Sequence, residues 1–210
     1  MSGPALFFHG YTQNAASFAA GAAPLTAAFP PSLKLIVPDA PHVCSEEAVA
    51  AFYANRRGTR PAPPYRTWWR ASDNGEEYLG WEDTLTLVRQ LVEAHSPVGV
   101  IGFSQGAMLG TLVAALSARG ELPKLRFAVL IAGRVPRALA LQPLIAEKIR
   151  VPSLHVWGKR DSYSTSLSPE LVDRFEAKSS HSLIWPGGHQ LPTRGFVPRA
   201  IAQFIATHTA

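Results

Sequence analysis

Residues 98–110 read Val-Gly-Val-Ile-Gly-Phe-Ser-Gln-Gly-Ala-Met-Leu-Gly, and this stretch constrains the chain more than any other. It opens as a short, β-branched apolar run, the pattern of a buried strand. It passes through Gly102-Phe103-Ser104-Gln105-Gly106, a complete G-x-S-x-G. Met108, Leu109, Leu112, Val113 and Leu116 then recur at helical spacing. Strand, sharp turn and helix together make a nucleophile elbow, in which the serine occupies a strained turn at a helix N-terminus. The positions two before and two after it must be small, because strand and helix approach closely there. Any fold proposed for this chain must place Ser104 at the carboxyl end of a buried strand.

The flanking sequence supports a sheet of the kind such an elbow needs. Strands are expected at 5–8, 33–37, 125–131, 151–157 and 182–185, alternating with helices at about 14–29, 76–95, 105–118, 139–148, 168–178 and 196–207. Gly21 and Pro24 interrupt the first helix pattern, and Ser168-Pro169 reads as an N-cap followed by a first-turn proline. This alternation predicts an α/β fold, a mostly parallel central sheet with helices on both faces and functional groups at the carboxyl ends of the strands. The 210 residues, 47% of them hydrophobic, suit a single domain over 1–210. Residues 43–75 are the exception: rich in proline and aromatics, they read as a short irregular cap or lid.

An activated serine needs a base, and the base needs an orienting acid; in a sheet of this type they follow the serine in the order acid, histidine. Asp161 follows the 151–157 strand through Gly158, and His189 follows the 182–185 strand through Pro186-Gly187-Gly188. Asp39 precedes the serine and reads as a turn residue, as does Asp73; Asp173 falls within a helix, and His155 within a strand. The oxyanion of an acyl-transfer intermediate would be met by the N–H of Gln105 and by one from the His9-Gly10-Tyr11-Thr12 loop, Tyr11 first and Thr12 as the alternative. His9 is expected to brace that loop. Trp68, Trp69 and Tyr11 are expected to line an apolar acyl pocket.

Other classes find less support. The net charge of +5 raises the question of a nucleic-acid or acidic-carrier surface, with Arg56, Arg57, Arg60, Arg66 and Arg70 beside Tyr65, Trp68 and Trp69. The basic residues are scattered singly, however, and no nucleic-acid motif accompanies them. Rossmann and Walker patterns are absent, so no nucleotide cofactor is implied, and the histidine spacings and single Cys44 give no metal site. No apolar run reaches membrane-spanning length, the first residues do not read as a signal peptide, and a lone cysteine fits a reducing, cytoplasmic setting.

Several segments together resemble the FSH-type serine hydrolases of the α/β-hydrolase superfamily, and the resemblance covers nearly the whole chain. It is carried by 6–14 (Leu-Phe-Phe-His-Gly-Tyr-Thr-Gln-Asn), Asp39-Ala40-Pro41-His42, Trp68-Trp69, Gly80-Trp81, Ile101 to Ala107, Gly158-Lys159-Arg160-Asp161, and 186–192 (Pro-Gly-Gly-His-Gln-Leu-Pro). The resemblance implies an esterase or thioesterase with Ser104, Asp161 and His189 as triad. Relatives that release polyketide chains make acyl transfer or thioester cleavage on an acyl carrier protein the alternative. A non-catalytic binding protein on the same scaffold is the third reading, disfavoured by the intact Ser, Asp and His.

Overall fold

The computed structural model describes residues 3–54, 60–163 and 167–209. In chain order the elements are β1 (Ala5–Phe8), α1 (Ala15–Thr26), β2 (Leu35–Ile36), β3 (His42–Val43), α2 (Glu46–Tyr53), β4 (Arg66–Thr67), β5 (Arg70–Ala71) and β6 (Tyr78–Leu79). They continue with α3 (Trp81–His95), β7 (Gly99–Phe103), α4 (Gln105–Ala118), β8 (Phe127–Ile131), β9 (Ser153–Gly158), α5 (Ser168–Val172), β10 (Ser180–Trp185) and α6 (Val197–Thr209). Six strands form one parallel sheet in the order β10-β9-β8-β7-β1-β2. The elbow strand β7 therefore lies inside the sheet, between β8 and β1.

Alternation along each strand divides the core into two layers. Leu6, Phe8, Val100, Ala128 and Leu130 point to one face, where α3 and α4 cover them. Ala5, Phe7, Ile101, Phe103, Val129 and Ile131 point to the other, covered by α1 and α6. Period-two side-chain direction makes this separation automatic once the strands are parallel and buried on both faces. Helix α4 is buried continuously from Gly106 to Ser117. It is hydrophobic all round because it is enclosed all round, as a central helix must be.

Several boundaries differ from the sequence expectation for physical reasons. Pro24 lies inside α1, whose Phe18, Ala22 and Leu25 are buried on one face and hold the helix through the missing N–H. Residues 76–80 are not helical: Tyr78 and Leu79 pair antiparallel with Ala71 and Arg70, and Gly80, at φ +86°, begins α3 only at Trp81. Residues 139–145 form a 3-10 helix with Pro143 inside it. Ser168 does not cap α5; its buried hydroxyl donates to the Gly133 carbonyl, and the helix stops at Val172.

The 43–75 stretch is more regular than its composition suggests. It holds α2, capped by Ser45, and the strands β4 and β5, which pair with β3 and β6 at its two edges. Arg56 and Arg57 lie outside the described residues. Arg60 pairs with Glu46, and Arg66 lies 3.6 Å from Asp39. Among the described residues, no helix is long and apolar enough to cross a membrane.

Candidate active site

The elbow is built as its residue types require. Ser104 has φ 54° and ψ −115°, a conformation that costs an L-residue of order 1–3 kcal/mol and that the surroundings must enforce. They do so on both sides. The Ser104 N–H donates to the Ile131 carbonyl at 2.9 Å, while its own carbonyl accepts from Ala107 and Met108 as α4 begins. A Cβ on Gly102 would lie 2.2 Å from the Gly106 carbonyl oxygen, and one on Gly106 would lie 2.2 Å from that of Phe8. Only hydrogen fits where helix, elbow strand and β1 converge.

Asp161 and His189 meet the serine from two later strand ends. The β9 and β10 loops are tied together: Lys159 N–H donates to the Trp185 carbonyl, and Arg160 N–H to that of Gly187. His189 Nδ1 lies 2.8 Å from Asp161 Oδ2, and His189 Nε2 lies 2.9 Å from Ser104 Oγ. An ionised carboxylate only accepts, so Nδ1 carries the proton and Nε2 is left to accept from the Ser104 hydroxyl. The Asp161 side chain is fully buried, with Oδ1 accepting the Tyr163 N–H at 3.0 Å. Phe103 and Tyr163 pack against the imidazole with centroids 5.4 and 5.0 Å away. The ring is thus held by contacts on its sides as well as at both nitrogens.

The β1 loop supplies the other part of the site. Thr12 N–H is taken by the Arg66 carbonyl at 2.9 Å, and Gly10 N–H by Gln13 Oε1 at 2.8 Å. No hydrogen bond among the described residues uses the Tyr11 N–H, which makes Tyr11 and not Thr12 the available donor. Gln105 opens α4, so its N–H has no partner within the helix. His9 braces the loop: Nδ1 donates to the Gly10 carbonyl at 2.8 Å and Nε2 accepts the Ala40 N–H at 3.1 Å. Burial lowers its pKa to about 4, which keeps the ring neutral and both bonds intact at neutral pH. Asn14 caps α1 and reaches the carbonyls of Ala62 and Pro64 at 2.8 Å, while Asp39 accepts the Ala15 N–H at 2.7 Å. Asp39 is thus a structural acid, as its turn position implies.

A cavity of about 380 Å³ opens beside Ser104, walled by Trp69, Tyr78, Met108, Arg134 and Tyr163 among others. A broader groove of about 930 Å³ meets it at Ser104 and His189 and runs past Gly10, Phe103 and Leu191. Of the two tryptophans expected in the acyl pocket, only Trp69 lines the cavity. Trp68 is fully buried in the core, edge-on to Phe8, and its indole N–H donates to the His9 carbonyl at 2.8 Å. An interior donor of that kind must be satisfied, and the loop carbonyl satisfies it. Tyr11 lines both spaces and packs on Phe52 of α2.

Sequence reasoning missed three things here. The Gln105 side chain straps the elbow to the 67–69 segment: Oε1 accepts from Thr67 Oγ1 and the Trp68 N–H, and Nε2 donates to the Trp69 carbonyl. Tyr163, two residues past Asp161, packs on His189. Arg134, three residues past the end of β8, reaches the cavity. Positions just beyond strand ends were the available signal for the last two; nothing local marks the first.

A six-stranded parallel sheet, covered on both faces, with a strained serine at the end of an inner strand defines an α/β hydrolase. The solved structure of esterase PE8 shares this fold, with a TM-score of 0.68 at 19% identity, covering 99% of this chain and 93% of that one. The chain belongs to the serine hydrolase (FSH1) family, whose model matches residues 1–197. An esterase of Aedes aegypti is 31% identical over 210 residues, covering 95% of this chain and 74% of that protein. Esterase OVCA2 of Bos taurus is 30% identical over 213 residues, covering 93% and 92%. The family membership makes the chain a hydrolase.

Proposed function

We propose that the protein cleaves a carboxylic ester or thioester through an acyl-enzyme on Ser104. The observation that supports this most is the continuous relay Ser104–His189–Asp161 at 2.9 and 2.8 Å, together with the Gln105 and Tyr11 N–H groups, which have no hydrogen-bond partner among the described residues. In this reading Ser104 Oγ attacks the acyl carbonyl as His189 Nε2 takes its proton. Asp161 fixes the imidazole and stabilises its protonated form. The Gln105 and Tyr11 N–H groups bind the oxyanion, each worth about 3 kcal/mol of transition-state stabilisation. Collapse expels the alcohol or thiol, protonated by His189. Water then attacks the acyl-enzyme with His189 as base, releasing the acid and restoring Ser104.

The deciding experiment is a fluorophosphonate probe followed by peptide mapping, beside an ester and thioester chain-length panel. Modification of Ser104 in wild type, with turnover abolished in Ser104→Ala, is the expected result. An unlabelled Ser104 in folded protein would overturn the reading and leave the scaffold as a binding module.

A further inference from the structure

The cavity beside Ser104 carries a charge pattern that an acyl pocket for a plain hydrocarbon chain does not need. Arg70, Arg134 and Arg137 all line it, and none of its lining residues is acidic. Among the described residues, none of these three arginines takes part in an ion pair. On the neighbouring turn Glu76 accepts from Asn74 Nδ2 at 2.7 Å, and neither Glu76 nor Glu77 is among the lining residues.

Arg134 is the more constrained of the three. It is half-buried, its guanidinium lies 4.8 Å over the Tyr163 ring, and its buried Nε has no hydrogen-bond acceptor among the described residues. Tyr163 in turn packs on His189, so the guanidinium is one ring away from the reacting groups. Arg137 is exposed, with its guanidinium against the Gly75 turn, where a Cβ would come within 2.7 Å of Nη2. Its backbone N–H donates to the Tyr78 hydroxyl at 2.8 Å, and Tyr78 stacks on Trp69 at 4.4 Å. Burial raises the Tyr78 pKa and both arginines oppose the rise, consistent with guanidinium charge beside the cavity wall. A partly desolvated cation with an unsatisfied buried donor is costly unless an anion enters. A planar guanidinium matches a carboxylate in geometry as well as charge.

We infer that the substrate portion seated in this cavity carries a carboxylate, received by Arg134 with Arg137 at the cavity rim. The inference rests on the serine-hydrolase reading above and names the substrate class for it. Two sources share this chemistry: an acyl chain that ends in a carboxylate, or an alcohol portion that bears one.

Turnover by pH-stat at low ionic strength tests it with matched pairs. Monoethyl adipate is set against ethyl hexanoate for the acyl side, and the hexanoate ester of 4-hydroxybutanoate against butyl hexanoate for the alcohol side. Wild type is expected to favour the charged member of one pair in kcat/KM, and the favoured pair tells which side of the ester enters the cavity. In Arg134→Met that charged-to-neutral ratio should fall about tenfold or more, as expected for losing a charged hydrogen bond. Arg134→Lys should restore part of it, and Arg137→Met should lower it less. Because the variants are exposed to misfolding, binding of the same compounds to Ser104→Ala by calorimetry is a second measurement. Tighter binding of a charged member without turnover by wild type keeps the anion site and overturns the hydrolase reading. Turnover with neutral members equal or favoured in both pairs, or no charge-dependent binding, overturns the anion site and leaves the hydrolase reading standing.

Discussion

The two sides of the site are made differently. One is assembled from strand ends: Ser104 after β7, Asp161 after β9, His189 after β10 and the 9–12 loop after β1. Its parts are fixed by backbone ladders and by contacts too close for any side chain. The other side is the wall from Trp69 to Tyr78 with Arg134 and Arg137, built from two-residue ladders, stacked rings and long cations. In the proposed reaction the first side sets which bond can be attacked, and the second sets what is presented to the attack. Rigid placement suits the former, because an attacking atom misplaced by an ångström costs about a hundredfold in rate. Adjustable side chains suit the latter, which discriminates by fit and charge. Gln105 joins them, with its backbone on the elbow and its side chain on the wall.

The sharpest way to break this contrast is at the strand ends. Ser104→Ala should lower kcat by about 10⁶-fold by removing the nucleophile, and Asp161→Asn by about 10⁴-fold by releasing the histidine tautomer. Their thermal midpoints should match wild type within a few degrees; a loss of activity under tenfold in either variant would dissolve the relay as an acting unit.

Next in size is Trp68→Ala. It should cost about 3–5 kcal/mol of stability through the cavity left behind, while the ratio of rates across an ester chain-length series holds steady in the remaining folded protein. Trp69→Leu should move that ratio instead. Chain-length preference shifting with Trp68 and not with Trp69 would reverse their assignment to core and wall.

Acid should weaken the sheet and its strand-end side through buried neutral histidines. Burial lowers the pKa of His9 to about 4 and that of His155 to about 3, against an ordinary 6.5. The unfolded chain therefore binds more protons below pH 6.5, so the stabilisation is complete above that value and is lost as pH falls toward the folded pKa. Each histidine should contribute a slope of about 1.4 kcal/mol per pH unit in that window. Urea unfolding between pH 6.5 and 5 should show a slope reduced by about that amount in His155→Leu, a substitution within the sheet; an unchanged slope would refute the assignment.

The smallest effect expected is at the joint. Gln105→Ala keeps the backbone N–H but leaves the Trp68 N–H short of an acceptor, while the Thr67 hydroxyl keeps the Trp69 carbonyl, at a cost of about 1–3 kcal/mol. If Gln105 positions the elbow against the wall, kcat should fall with little change in KM, and Gln105→Glu, which keeps the acceptor, should recover part of the loss. A purely structural strap would lower stability and leave kcat where it was.

Much of the first side was legible from residue order. Gly102 and Gly106 mark a backbone approach, and Asp161 and His189 follow apolar β-rich runs, so a local pattern and a parallel-sheet rule suffice to bring them near Ser104. The second side was not legible in the same way. Trp68 and Trp69 are adjacent, chemically identical and both buried in the same core, yet only Trp69 also lines the cavity, because Trp68 packs on Phe8 and His9 while Trp69 packs on Tyr78 and Trp81. Tyr78 and Leu79 continue the apolar pattern of the following helix but pair as a strand, since Gly80 breaks the helix and β5 offers a partner. Sequence position alone favours Tyr11 over Thr12 as donor; the Arg66 carbonyl, 54 residues along the chain from Thr12, is what takes the Thr12 N–H.

Sequence alone therefore determined the layered sheet, the elbow and the succession of groups behind it, because these depend on period, glycine geometry and chain order, all of them local. Tertiary structure decided which tryptophan lines the cavity, which loop amide has no partner among the described residues and where the cavity's arginines gather. Those outcomes depend on which distant group satisfies each donor or charge, and only the packed chain specifies that.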